Sequence, residues 1–160
     1  MLYDLLKQNN YRPCPLRKTV VGQFELMVSI DGIDTNFILD TGAAKTVVDL
    51  SFARSQHLAL QESTIEVCGL GVSRMVLYKI KLATLMVGEF TLLLPELYAI
   101  DLRHLKQSLL EKGVERPANG IIGADALNQH KAIIDYANQL LYLQNVAVAE
   151  HKLRAVSCEL

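Results

Sequence analysis

The first strand-turn-strand pattern constrains the fold of this chain more than any other feature. The run Phe24–Ile30 places apolar side chains at alternate positions, which is typical of a strand with one buried face. The dipeptide Asp31-Gly32 follows as a two-residue hairpin turn, and a second apolar run covers Ile33–Leu39. Small residues and a glycine break the pattern at Asp40, so we predict that Asp40 lies on a loop directly after a buried strand.

Short strand-like runs and turns continue along the rest of the chain. Gly69-Leu70-Gly71 lies between two such runs, Gly88-Glu89 forms another turn, and a closing hairpin is predicted over 133–143. This spacing favours a β-sandwich or a closed barrel. Helical patterns are predicted over 52–58, 101–113 and 124–128. The second of these is an amphipathic helix inserted among strands, with Asp101 as its expected cap. The fold class is therefore mostly β with few helices.

The composition limits the classes of function. The chain has 160 residues, which fits one domain over 1–160, with a core at about 24–146 and peripheral terminal segments. Hydrophobic residues make up 51%, so disorder is excluded as the main state. Because 16 Lys and Arg residues face 17 Asp and Glu residues, no positive excess is present to neutralise a phosphate backbone, and we expect no nucleic-acid partner.

The cysteines and the apolar runs bear on the compartment. The three cysteines are widely spaced without a C-x-x-C pair, which indicates a reducing compartment, and we predict a cytoplasmic protein. No run has signal-peptide or membrane-spanning length, so no membrane partner is expected of the chain as given. A segment upstream in a longer precursor would leave a periplasmic or membrane-anchored protein open. The four histidines lack metal-ligand spacing, so we expect neither a metal nor a cofactor.

Asp40 is the candidate for chemistry. An apolar strand on one side and Thr-Gly on the other favour a desolvated carboxylate. Hydrolysis by carboxyl groups alone needs one base and one acid, so two carboxyl groups must meet. Asp34 is followed by Thr-Asn and lacks the glycine, whereas Asp125 is either a second acid or the cap of the following helix. The alternative for Asp40 is a turn carboxylate that bonds local N–H groups.

Three motifs together resemble the retropepsin-like (retroviral-type) aspartic proteases. These are F-I-L-D-T-G-A ending at Ala43, G-I-I-G-A-D-A-L from Gly120, and A-I-I-D-Y-A-N-Q-L-L-Y-L from Ala132. The resemblance spans about residues 24–143. It implies the closed β-barrel of the acid protease type, with one or two short helices and the inserted amphipathic helix.

The resemblance also implies roles for individual residues. It makes Asp40 the catalytic aspartate and assigns support of its loop to Thr41, Gly42 and Ala43. The tip Gly69-Leu70-Gly71 takes the place of the flap that closes over a peptide. Ile121-Ile122-Gly123 matches the apolar strand behind the loop, and we count these residues with the flap tip as substrate-binding.

The mechanism implied by the resemblance is general acid-base activation of water in a homodimer, with one Asp40 from each chain and a peptide or protein substrate. Two features depart from the viral enzymes. Ala44 and Ala124 stand where those enzymes have an ion pair that supports the dimer, and a helix-bearing segment is inserted at 95–119. The alternatives are a catalytically silent dimerisation or peptide-binding module of the same fold, and a monomeric β-domain with an isolated Asp40.

Overall fold

The structure is a computed structural model that describes residues 2–63, 76–81 and 83–146. Its strands are β1 (Tyr11–Pro15), β2 (Arg17–Lys18), β3 (Phe24–Ile30), β4 (Ile33–Leu39), β5 (Val47–Asp49), β6 (Leu60–Ser63), β7 (Leu77–Ile80), β8 (Leu85–Val87), β9 (Phe90–Thr91), β10 (Leu97–Ile100), β11 (Gly120–Ile122), β12 (Ile133–Asp135) and β13 (Leu140–Gln144). The helices are α1 (Leu2–Gln8), α2 (Leu50–Ser55), α3 (Arg103–Glu111) and α4 (Ala124–Gln129).

The strands form two sheets. The larger has the order β6-β7-β10-β5-β11-β4-β3-β8-β9, with β2 paired to β3, and the smaller has the order β1-β13-β12. The prediction of a mostly β chain is confirmed. Within the described ranges the pairing of the larger sheet runs along a path with two ends, so closure into a barrel stays a prediction.

The first hairpin forms as the alternating pattern predicts. Strands β3 and β4 pair antiparallel from Glu25 opposite Ile38 to Ile30 opposite Ile33. Asp31 has φ 49° and Gly32 has φ 85°, which are the left-handed values that a two-residue hairpin turn with matching twist requires. The turn therefore fixes the register that carries Asp40 to the end of β4.

Side chains on the two faces of β4 enter different apolar clusters. Phe37 is fully buried in the main core with Val48 and Ile122. Ile38 points to the other face and is buried with residues of α3 and the segment that follows it. The inserted helix therefore covers part of the second face of the sheet.

The helices differ from the sequence predictions mainly at their ends. Helix α2 covers Leu50–Ser55 instead of 52–58, because the Asp49 side chain accepts a hydrogen bond from the Phe52 amide and caps the helix at its start. Helix α3 is shorter than 101–113, and its N-cap is Leu102 instead of Asp101. The Asp101 carboxylate accepts a hydrogen bond from the Arg103 amide, but it lies one residue too early to cap the helix.

The N-terminal segment is not peripheral, which corrects the sequence-based core boundary. Strand β1 pairs antiparallel with β13, from Tyr11 opposite Gln144 to Pro15 opposite Leu140. Cys14 and Leu16 lie in the main core. None of the helices in the described part of the chain is long and apolar enough to cross a membrane.

Candidate active site

Asp40 lies where β4 meets β11. Its backbone amide donates a hydrogen bond to the carbonyl oxygen of Ile122 at 3.0 Å, and its carbonyl accepts one from the Ala43 amide at 3.2 Å. The Asp40 Oδ1 atom accepts a hydrogen bond from the Gly42 amide at 2.9 Å. The loop thus turns tightly, and its own backbone fixes one oxygen of the carboxylate.

We name residues 40–46 the Asp40 loop. The segment after β11 contacts this loop at Ala43 and Lys45. The Ala124 amide donates to the Ala43 carbonyl at 2.7 Å. Gly123 packs so tightly that an added Cβ would lie 2.6 Å from the carbonyl oxygen of Lys45 and 2.8 Å from that of Ala43. Only a glycine fits this contact, which explains the second glycine of G-I-I-G.

Thr46 and Asp125 form a second attachment that the sequence analysis missed. The Asp125 Oδ1 atom accepts hydrogen bonds from the Thr46 amide at 2.8 Å and from its hydroxyl at 2.7 Å. The Thr46 hydroxyl oxygen in turn accepts one from the Gly123 amide at 3.0 Å. Asp125 also accepts from the Ala126 amide, but the N-cap of α4 is Gly123, so the expected capping role is wrong. In the sequence, the sign of this contact is Thr46, which follows the D-T-G motif by a few residues.

The Asp40 carboxylate is exposed within the single chain, as are Thr41 and Gly42. The expectation that neighbouring apolar residues desolvate Asp40 is therefore not met by one chain alone, because the strand ends at Leu39 and the side chain projects beyond it. The exposed carboxylate is accessible to water, to a ligand or to a second protein.

The other candidate residues divide into three groups. The Ile122 side chain is 2% exposed and packs in the main core, which corrects its assignment as a substrate contact. Its carbonyl oxygen accepts the hydrogen bond from the Asp40 amide. Gly123 is also buried and supports the loop. Ile121 is partly exposed and packs against a cluster with Val47 and Tyr98. Gly69-Leu70-Gly71 lies outside the described residues.

Lys79 on β7, Tyr98 on β10 and Glu96 directly before β10 form a polar cluster on the sheet that includes β4. Tyr98 donates its hydroxyl hydrogen to Glu96, and Lys79 pairs with Glu96 at 2.8 Å. The hydrogen bonds from Lys79 and Tyr98 lower the pKa of Glu96, and the bond to Glu96 raises the pKa of Tyr98 to about 12. Both groups are therefore held in their usual ionisation state at neutral pH.

The inserted segment is attached to the sheet by a buried ion pair. Lys106 of α3 donates to Asp49 Oδ2 at 2.9 Å and to Asn119 Oδ1 at 2.7 Å, while the Leu102 amide donates to Asp49 Oδ1 at 3.2 Å. Burial opposes ionisation of Asp49, but hydrogen bonds from Ser51 and Lys106 outweigh it and lower the pKa of Asp49.

Two surface cavities adjoin the Asp40 loop. One of about 280 Å³ is lined by Gly22, Gln23, Phe24, Ile38, Leu39, Asp40, Thr41, Ile134 and Tyr136. The other, of about 420 Å³, is lined by Thr41, Ala124, Leu127, Asn128, Lys131, Ala132 and Ile134. Tyr136 packs edge-on against Phe24 with ring centroids 4.9 Å apart, and it was not a sequence candidate because its place beside Asp40 depends on the closing hairpin.

No group of three or more His, Cys, Asp or Glu side chains among the described residues has the arrangement of a metal site. The chemistry that the geometry offers is that of one exposed, backbone-oriented carboxylate beside two cavities. Such a group can accept a proton from water or donate one to a carbonyl oxygen, but not both at once.

Comparisons with known proteins agree with the sequence motifs. A family model described as aspartyl protease matches residues 26–126. A retropepsin-like aspartic protease from Rickettsia conorii aligns at 14% identity and a TM-score of 0.54, over 83% of this chain and 90% of that chain. The retroviral protease-like domain of Ddi1 from Leishmania major aligns at 16% identity and a TM-score of 0.52, over 78% and 90%. No curated protein sequence matches significantly. At these identities the two structures show a shared fold.

Proposed function

We propose that this chain, which belongs to the aspartyl protease family, is an aspartic endopeptidase that uses Asp40 to activate water. The observation that carries the proposal is the exposed Asp40 carboxylate on a loop in which Asp40 is bonded to Ile122 and Ala43 to Ala124. A carboxylate with a fixed backbone can hold a water molecule in line with a peptide carbonyl. Thr41, Gly42 and Ala43 support the loop.

A second Asp40 from another copy of the chain completes the site. One carboxylate takes a proton from water while its twin, in the protonated form, donates a proton to the carbonyl oxygen of the peptide. Two carboxyl groups in contact share one proton, because they cannot both ionise. In a twofold-symmetric dimer the same surface meets itself, so both copies of Asp40 lie at the axis.

The surface around Thr41 supports this form of assembly. The cavity of about 420 Å³ next to Thr41 continues to Ile134 on β12, the outer strand of the smaller sheet. Two apolar side chains of this segment are exposed: Tyr136 at 72%, which lines the smaller cavity beside Asp40, and Ile133 at 36% on β12. Burial of these side chains against a second copy removes apolar surface from water at the place where the two loops must meet.

The peptide substrate lies across the Asp40 face of the sheet in this proposal. Ile121 contributes a side chain to that surface, and Gly69-Leu70-Gly71 is the expected cover. Backbone groups of the loop contact the peptide main chain, so selection among substrates depends on the cavities on either side of Asp40.

Substitution of Asp40 tests the proposal. We expect Asp40→Asn to reduce peptide hydrolysis to the background level, because the amide can neither take a proton from water nor return it. The matched control is Asp34→Asn, an exposed carboxylate earlier on the same strand, which should retain activity. Unchanged cleavage by the Asp40→Asn protein would overturn the assignment.

A specific observation favours a second candidate, a catalytically silent peptide-binding module. Ala44 and Ala124 cannot form the ion pair that the resemblance predicts at those positions. A dimer without this support can bind peptides with its two loops too far apart to share a proton. A peptide that carries a statine hydroxyl in place of the scissile bond separates the candidates, because an enzyme binds this transition-state mimic far more tightly than the matching substrate.

A further inference from the structure

Cationic side chains from two separate segments meet at one surface cavity, which we name the basic cavity. It has a volume of about 420 Å³ and is lined by residues 17–20 and 113–116. Arg17, Lys18 and Arg116 are its cations, and Glu115 is its one anion. The basic cavity therefore has an excess of positive charge, although the whole chain has a formal net charge of -1.

Strand pairing places the basic cavity close to Asp40. Lys18 on β2 lies opposite Phe24 on β3. The register of β3 with β4, continued by one residue, brings Phe24 to Leu39, which directly precedes Asp40. Because neighbouring strands lie about 4.8 Å apart, the backbone of Lys18 is about 10 Å from that of Leu39. An extended peptide covers this distance in about three residues.

The turn that follows β2 separates the basic cavity from the smaller cavity beside Asp40. The Thr19 amide donates a hydrogen bond to the Gln23 carbonyl at 2.8 Å, and the Gly22 amide donates one to the Thr19 carbonyl at 2.9 Å. Gly22 and Gln23 line the smaller cavity. A Cβ added to Gly22 would lie 4.0 Å from Lys18 Cε, so the Lys18 side chain runs along this turn. Its end is therefore close to both cavities.

The cations of the basic cavity have donors available for a ligand. Arg17 is paired with Glu25, whose side chain is 2% exposed, and this pairing fixes the guanidinium. The pairing uses one of five N–H donors, so others remain for a second acceptor. Lys18 and Arg116 are exposed, and neither forms an ion pair with another residue that the structure describes. The basic cavity can therefore bind a carboxylate.

We propose that the basic cavity binds an acidic side chain of the substrate, about three residues from the scissile bond. The inference rests on the proposed function and names its substrates as peptides with Asp or Glu near the cleavage site. Arg116 belongs to the inserted segment, which thereby contributes to substrate selection. In a twofold-symmetric dimer the basic cavity occurs twice, so an acidic residue is accepted on either side of the scissile bond.

A competition experiment tests this selectivity. Two peptides that differ only in Glu or Gln, three residues from the scissile bond, are cleaved in one mixture at about pH 6, where Glu is ionised. The ratio of their kcat/KM values is measured. We expect Lys18→Gln and Arg116→Gln each to lower the Glu-to-Gln ratio about threefold, because each removes one exposed charge beside the carboxylate. The ratio does not depend on the folded fraction, since both peptides meet the same enzyme.

The variant Glu115→Gln carries the opposite expectation. It removes the anion of the basic cavity, so the Glu-to-Gln ratio should rise about twofold. A general loss of structure cannot lower the ratio in Arg116→Gln and raise it in Glu115→Gln. A ratio that falls or stays the same in the Glu115→Gln protein would contradict the proposal.

The matched control is Lys112→Gln, which removes an exposed cation at the end of α3 that does not line the basic cavity. Its Glu-to-Gln ratio should stay close to that of the unmodified chain. A decrease as large as that in Arg116→Gln would show general attraction to surface charge and would overturn a defined site. Unchanged ratios in both Lys18→Gln and Arg116→Gln would also overturn the inference and leave the proposed function intact.

A second readout needs no turnover. The affinities of the Glu and Gln peptides for the Asp40→Asn protein are measured by calorimetry, with and without Arg116→Gln. Arg116→Gln should lower the affinity ratio, and added salt should lower it further, because screening weakens exposed charges. An affinity ratio that responds to neither change would contradict the role of the basic cavity. Peptide cleavage that persists in the Asp40→Asn protein would instead remove the proposed function itself.

Discussion

The backbone amide of Asp40 donates a hydrogen bond of 3.0 Å to the carbonyl oxygen of Ile122, and this bond joins two motifs that are far apart in the sequence. Strand β11 pairs parallel to β4 up to Leu39 opposite Ile122, so the bond continues the ladder by one residue into the Asp40 loop. The position of the carboxylate therefore depends on residues near Gly123 as much as on the D-T-G motif.

Substitution of Gly123 should damage the loop. In Gly123→Ala the new Cβ meets backbone atoms of Lys45 and Ala43 at 2.6 to 2.8 Å, and neither carbonyl can move without displacing the Asp40 loop. We expect a loss of about 1–3 kcal/mol in the free energy of unfolding and a larger proportional loss of activity. Urea denaturation measures the first effect. Unchanged stability would show that the contact is looser than described.

The contrasting case is Gly120. Its added Cβ would lie 2.4 Å from ring atoms of Phe37, a side chain instead of backbone. Gly120→Ala should therefore be rescued in part by Phe37→Leu, whereas no second substitution of this kind rescues Gly123→Ala. Double-mutant analysis of unfolding free energies measures the coupling, and additive losses at Gly120 and Phe37 would contradict it.

The sequence was sufficient to predict the hairpin, the place of Asp40 at a strand end and the closing hairpin, since these depend on local alternation and turn residues. It was not sufficient for Thr46 and Asp125, whose bond links residues 79 positions apart and leaves no periodic signal. The N-terminal strand was also missed. Pro13 and Pro15 argue against a strand, and only its pairing with β13 holds that segment extended.

The ion pair between Asp49 and Lys106 should be essential to the attachment of α3. In Lys106→Met the Asp49 carboxylate stays 0% exposed without its cation, so we expect a loss of about 3–5 kcal/mol in the free energy of unfolding. Asp49→Asn combined with Lys106→Met should recover much of this loss. Lys112→Met, an exposed lysine at the end of the same helix, is the control and should change stability little.

Asp49 should also contribute to the decrease of the free energy of unfolding at acidic pH. Its pKa in the folded chain lies below the ordinary value of 3.8, so the unfolded chain binds more protons as the pH falls. The stabilisation is complete above about pH 5 and is lost as the pH drops through the lowered pKa. The unfolding free energy of the unmodified chain should therefore fall more steeply in acid than that of the Asp49→Asn, Lys106→Met protein. Equal slopes would contradict this contribution.

Cys14 should be unreactive while the chain is folded. The thiol is 5% exposed, and burial raises its pKa to about 11, so little thiolate forms at neutral pH. In a protein with Cys68→Ser and Cys158→Ser, we expect iodoacetamide at pH 8 to label Cys14 slowly in buffer and rapidly in denaturing urea. Mass spectrometry follows the label, and rapid labelling in buffer would show that β1 opens easily.

Subunit mixing measures the central claim most directly. Unmodified chains and Asp40→Asn chains are mixed in varied proportion, allowed to exchange, and assayed for peptide cleavage. If each site takes one Asp40 from each of two chains, activity follows the square of the unmodified fraction, so an equal mixture retains about one quarter of the activity. Activity in direct proportion to that fraction, about one half in the equal mixture, would contradict a shared site.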